Sequence, residues 1–198
     1  REEGGLSRSS AFALPFRSDF ALASLVLRRD RGDVRVRSTT GTTWQEVTEH
    51  FDLSSPDQPR RLEQTSKARS VSSETRLWRP MRAGVSWLAG LSLLDHRHSV
   101  ARKVEGGRAV RPLGKVDNHV AELTLYGELG VELTPRIEAS AGARFTITNL
   151  RGSGQHLSMI AFDAVQALDP DRTERRLLPS AALLARPVHG VSVYARYQ

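Results

Sequence analysis

The chain has 198 residues, 39% hydrophobic and 26% charged, and 29 basic against 22 acidic residues give it a net charge of +7. It has no cysteine, which excludes disulfide frameworks, thiolate metal sites and cysteine nucleophiles. The basic charge is almost all arginine, scattered or placed at expected turns. It forms no single stripe with interleaved aromatics, so composition does not point to nucleic acid.

No apolar run approaches the roughly 18–20 residues of a transmembrane helix. The dominant pattern has period two. Residues 1–19 show none of it and are expected to be irregular. Phe20–Leu27 is a short strand, nearly all apolar, with little to offer a polar face. The turn Arg28–Asp33 leads to Val34–Phe51, a long alternating strand. After a polar stretch at 54–70, Val71–Trp78 and Val85–Val100 flank the turn Arg79–Gly84. A second polar connection, 101–118, contains Gly106, Gly107 and Pro112.

Val120–Leu133 is the clearest strand. Ala121, Leu123, Leu125, Gly127, Leu129, Val131 and Leu133 alternate with Glu122, Thr124, Tyr126, Glu128, Gly130 and Glu132. A helix would scatter these glutamates around its circumference, whereas a strand puts them on one face. Thr134-Pro-Arg136 turns the chain into Ile137–Asn149, where Arg144 falls on the polar side and Phe145 on the apolar one. A third polar connection spans 150–174. Leu177–Ala185 and Val191–Gln198 then flank the turn Arg186–Gly190. The four turns centre near 31, 81, 135 and 187, about 50 residues apart.

This alternation of short turns with long polar connections is the pattern of an outer-membrane barrel. The expected fold is therefore all-β: an antiparallel up-and-down meander of about eight strands over 20–198, forming part of a barrel wall. Glu122, Thr124, Tyr126, Glu128 and Arg144 are expected to face the lumen. Trp44, Trp87, Phe145 and Tyr197 fall on the apolar faces of their strands. They would be lipid contacts or an aromatic girdle in a membrane barrel, and core in a soluble one.

Three stretches also resemble the TonB-dependent outer-membrane receptors. These are Gly190-Val-Ser-Val-Tyr-Ala-Arg-Tyr-Gln198, Leu133-Thr-Pro-Arg-Ile-Glu-Ala-Ser-Ala-Gly-Ala-Arg-Phe145, and Ser73-Glu-Thr-Arg-Leu77 with Trp87-Leu-Ala-Gly-Leu91. Their order and spacing carry more weight than any one motif. No segment resembles that family's plug domain, so the resemblance implies a portion of a receptor barrel. It implies a place in the cell outer membrane, contact with outer-membrane lipid and lipopolysaccharide, and an iron–siderophore or similar large ligand. TonB would act only through a plug that this chain does not contain.

Other chemistry has blander explanations. His96 and His98 share a strand face, but a zinc site wants three or four ligands and no third is near in sequence; a polar strand end accounts for them. Glu122, Glu128, Glu132 and Glu138 are explained by alternation without acid–base catalysis. Asp169-Pro-Asp-Arg-Thr-Glu174 lacks the ligand count calcium takes. No nucleophile elbow or phosphate loop appears. The expectation is thus a non-enzyme with no metal or cofactor. Two alternatives stay open: an independent eight-stranded membrane barrel with a structural or adhesive role, and a soluble β protein.

Overall fold

The computed structural model describes residues 13–55, 57–106, 109–157, 165–168 and 170–197. It is a single antiparallel sheet. Its strands are β1 (Arg17–Arg31), β2 (Val34–Asp52), β3 (Arg60–Arg82), β4 (Val85–Gly106), β5 (Ala109–Thr134), β6 (Ile137–Leu157), β7 (Val165–Leu168), β8 (Asp171–Ala185) and β9 (Val193–Tyr197). They pair in the order β1-β2-β3-β4-β5-β6-β8-β9, with the short β7 also on β6. The up-and-down meander is the one the alternation predicts. The sheet is not closed: β1 and β9 are its two edges.

Turn chemistry fixes the hairpins. Arg31 pairs with Val34, which leaves Gly32 with φ +61° at the first of two loop positions, the place where a type II′ turn wants glycine. Arg82 pairs with Val85 around Ala83 (φ 49°) and Gly84 (φ 78°). Two left-handed residues in a row define a type I′ turn, whose twist matches that of the strands it joins. Pro135 suits the first corner of the β5–β6 turn because its ring presets φ.

The strands are longer than the apolar alternation implies. β3, β4, β5 and β6 run for 23, 22, 26 and 21 residues, about twice the 9–11 that cross a membrane. Most of the expected connections at 54–70, 101–118 and 150–174 are strand: β3 begins at Arg60, β4 and β5 together reach from Val85 to Thr134 around 107–108, and β8 begins at Asp171. The reason is that these portions are polar on both faces, and period two in hydrophobicity vanishes where both faces are wet. β1 likewise begins at Arg17, inside the segment expected to be irregular.

The register slips at three places, Arg79/Arg82, Arg102/Lys103 and Glu132/Thr134. Two adjoin turns and one lies in the far half of β4, so the middle of the sheet pairs without interruption. Among the described residues no hydrophobic side chain is buried. The accessible surface is 15065 Å², against about 9,300 Å² for a globular protein of this mass. This is one layer, and what covers its two faces decides what it is.

Candidate functional site

Register assigns every strand residue to a face. One face collects the odd positions of β1 and the even positions of β2, then the odd positions from β3 to β9. In the half nearest the short turns this face is apolar. It presents Trp87, Leu91 and Leu93 of β4, Leu123, Leu125, Leu129 and Val131 of β5, Phe145 and Ile147 of β6, and Leu177 and Leu183 of β8. Ser38–Thr75 and Thr40–Ser73 interrupt it on β2 and β3, each pair bonded hydroxyl to hydroxyl at 2.9 Å. No charged side chain of this face lies between Leu93 and Trp87, Ala121 and Val131, or Leu177 and Ala185.

The first charges beyond this belt lie on a slope. On β1 and β2 they are Asp19 and Glu46, in the ladder row of Ser99. On β8 the first is Arg175, in the row of Leu93. The edge thus falls six residues over six strand steps. One residue of about 3.3 Å per interstrand step of about 4.8 Å is a tilt of roughly 35°, at the edge of the ~35–45° of membrane barrels. At that tilt, Ile137–Ile147 of β6 rises about 27 Å, close to the ~25 Å apolar band of such barrels.

The opposite face is polar and more sheltered. Thr124 is 3% exposed whereas its neighbour Leu125 is 50% exposed. Tyr126 of β5 lies across Gly90 of β4, where any Cβ would collide with its ring. Its hydroxyl thereby reaches β3 and donates to Glu74 Oε1 at 2.6 Å. Arg76 donates to both Glu74 oxygens at 2.9 and 2.8 Å. On the other side, the Arg144 guanidinium stands 5.6 Å from the Tyr126 ring centroid, within cation–π range. One polar chain therefore links β6, β5 and β3 over a glycine notch in β4.

Beside it, Glu122 accepts from Thr124 and Thr148 at 3.2 Å each, and Thr124 bonds Thr146 at 2.9 Å. Glu128 shares the face, opposite Gly142. The five residues expected at a lumen, Glu122, Thr124, Tyr126, Glu128 and Arg144, thus lie on the polar face, and four of them join these networks. Trp44, Trp87, Phe145 and Tyr197 lie on the apolar face. Trp44 pairs with Arg69 at the belt's far edge, and Trp87 stands beside Arg79 near the turn. Phe145 sits between Leu125 and Leu177, and Tyr197 lies against Ala181. His96 and His98 share the polar face, with His98 Nε2 2.9 Å from Ser66 Oγ.

Sequence reasoning did not single out Glu74, Arg76 or Gly90. The alternation Ser73-Glu-Thr-Arg76 puts the first two on one face, but only the register brings them under Tyr126. It also missed Arg28, Arg37 and Arg76, which form one row of the polar face.

Beyond the belt, ion pairs knit the far halves of the strands. Arg61 bonds Glu105 at 2.5 Å, and Lys103 lies 3.5 Å from Glu105 and 3.0 Å from Glu63. His50 is 3.4 Å from the same Glu63. Hydrogen bonds from Arg61, then its charge and those of Lys103, hold the Glu105 carboxyl below its ordinary value. The Glu63 carboxylate is the main cause raising Lys103.

No protein-family model matches this sequence, and no curated protein does. Solved structures share its fold. The ferric yersiniabactin uptake receptor FyuA from Yersinia pestis superimposes with a TM-score of 0.71 at 16% identity, over 95% of this chain and 29% of that one. The ferric-catecholate import receptor Fiu from E. coli K12, in its open form, gives 0.66 at 10% identity, over 95% and 36%. The ferric citrate transporter FecA gives 0.63 at 11% identity, over 91% and 27%. The chain therefore spans about a third or less of each of these structures. The architecture is that of an outer-membrane barrel wall.

Proposed function

We propose that this chain is part of the wall of an outer-membrane receptor that takes up iron–siderophore complexes or similar large nutrients, with energy supplied by TonB through a plug domain. The observation that carries the reading is the two-sidedness of the sheet. A charge-free belt of about 27 Å occupies one face. A polar network, Arg144–Tyr126–Glu74–Arg76, joined by one cation–π contact and by hydrogen bonds, occupies the other. Lipid covers the first and a water-filled lumen the second. Trp44, Trp87, Phe145 and Tyr197 then meet lipid or its interfaces, and Glu122, Thr124, Tyr126, Glu128 and Arg144 line the lumen. The likeness to ferric siderophore and ferric citrate receptors supports the class of ligand. A wall needs no catalytic group.

Two measurements test this. The chain has no cysteine, so a single introduced cysteine carries a fluorophore to one site. A label at Leu125→Cys is quenched by a lipid-borne quencher and one at Glu128→Cys by a water-soluble one; the reverse pattern overturns the orientation. For transport, cells deleted for the reading frame take up less radio-iron from a siderophore, and collapsing the TonB system in the parent has the same effect. Unchanged uptake across a panel of iron chelates overturns the ligand class.

A further inference from the structure

Just beyond the charge-free belt, the apolar face carries a ladder row of Trp44, Arg69, Arg97, His119 and Arg151, on five consecutive strands from β2 to β6. Like charges set opposite one another in a sheet repel. Here three arginines and a histidine are direct neighbours. The acids nearby offset them only in part. Asp95, one row nearer the turns, is shared between Arg97 at 3.3 Å and His119 at 2.6 Å. Asp171 meets Arg151 at 3.6 Å, with both side chains about three-fifths exposed. Arg69 has no ion-pair or hydrogen-bond partner among the described residues. The row lines an open groove of about 650 Å³ that also takes in Lys67, paired with Glu46 at 3.1 Å, and Asp117, paired with Lys115 at 2.8 Å, so these two add no net charge. It therefore holds excess positive charge in a concave, accessible place.

Position narrows the ligand. Val71 and Ala121 stand one row closer to the turns, so an anion held here sits at the margin of the apolar belt. Arg69 and Arg151 are three interstrand steps apart, about 14 Å. One phosphate spans two neighbouring strands, so the row can engage two. Trp44 closes the row at the end where an indole favours an interface.

We propose that Arg69, Arg97, His119 and Arg151 bind the phosphate groups of a phosphorylated lipid headgroup, in the leaflet that meets the far edge of the belt. This rests on the membrane-wall reading above. Phosphate is the natural partner of clustered guanidinium groups, which present paired donors, and juxtamembrane cations gain from anionic lipid.

The test uses the full chain mixed with phosphatidylcholine vesicles, and with vesicles in which part of that lipid is replaced by phosphatidic acid. Flotation reads insertion, and native mass spectrometry reads retained lipid. The wild-type chain floats with both and retains phosphatidic acid. The variant Arg69→Gln/Arg97→Gln/Arg151→Gln floats equally well with phosphatidylcholine but retains roughly tenfold less phosphatidic acid or lower still. The polar-face variant Arg28→Gln/Arg37→Gln retains as much as wild type. Equal retention by the triple variant overturns the proposal. So does displacement of the lipid by inorganic phosphate, which would make the row a free-anion site. A wild-type chain that floats with neither vesicle overturns the wall reading and this proposal together, whereas one that floats with both and shows no preference overturns this proposal alone.

Discussion

At Gly90 the polar network depends on a side chain that is not there. A Cβ at this position would occupy the space of the Tyr126 ring, and the ring cannot retreat without breaking its bond to Glu74. Gly90→Val is expected to destabilise the protein by about 1–3 kcal/mol, the usual cost of overpacking. In a Tyr126→Ala background the same change is expected to cost much less, so the two substitutions are coupled. Urea unfolding of the vesicle-embedded chain, followed by tryptophan fluorescence, measures both; equal costs in the two backgrounds would remove the notch from the account. Charge at the far end gives a second test. Glu105 has a folded-state pKa below its ordinary 4.5, chiefly because Arg61 bonds the carboxylate. Its contribution to stability is present above the unfolded value and is lost as pH falls through the lowered folded one. A carboxyl NMR titration is expected to show a depressed midpoint that rises in Arg61→Gln.

Strands are where the sequence was most and least legible. In β5 and β6, alternation located the element, its faces and its turn, because one face is uniformly apolar from Ala121 to Val131. The candidate-site residues of β5 and β6 followed from the same pattern, whereas Glu74 and Arg76 of β3 did not. What lay hidden were the outer halves of β3 to β6. Residues such as Lys67, Arg97 and Asp117 project on one face while polar groups also occupy the other, and such a strand has no hydrophobic period. Contacts across strands, such as Tyr126 with Glu74, were equally invisible, since they depend on which residue of β3 stands opposite which of β4. The direction of the faces is tested by charge. Leu125→Arg in the belt is expected to cost about 2–4 kcal/mol in a bilayer, whereas Glu128→Arg, exposed on the polar face, is expected to change stability by less than about 0.5 kcal/mol. Comparable costs by urea unfolding in vesicles would contradict the assignment of lipid to the apolar face.

For the whole molecule, the open sheet is the controlling fact. β1 and β9 each present an unpaired edge, and unpaired backbone groups are costly in hydrocarbon and aggregation-prone in water. β1 is also apolar on both sides, with Phe20 and Leu22 on the polar face 61% and 64% exposed, and Leu25 and Leu27 on the other face 58% each. The 198-residue chain expressed by itself is therefore expected to self-associate in detergent. Light scattering after size exclusion would show this, and gels would lack the change in mobility between boiled and unboiled samples that marks a closed barrel. A monodisperse monomer with heat-dependent mobility would instead mean that the chain closes on itself.

The three register slips all lie outside the stretch of β4 from Trp87 to Leu93, and this sets how such a gene can change. Inserting or deleting one codon within β4 between Trp87 and Leu93 would exchange the faces of every residue on one side of the lesion, sending leucines to the polar face and serines to the apolar one. Two codons would restore the faces and shift only the height. Variation in length should therefore accumulate in even steps inside the belt and freely in the connections that follow β2 and β4. Related sequences, once aligned, would carry that parity as a trace of the different surroundings of the two faces.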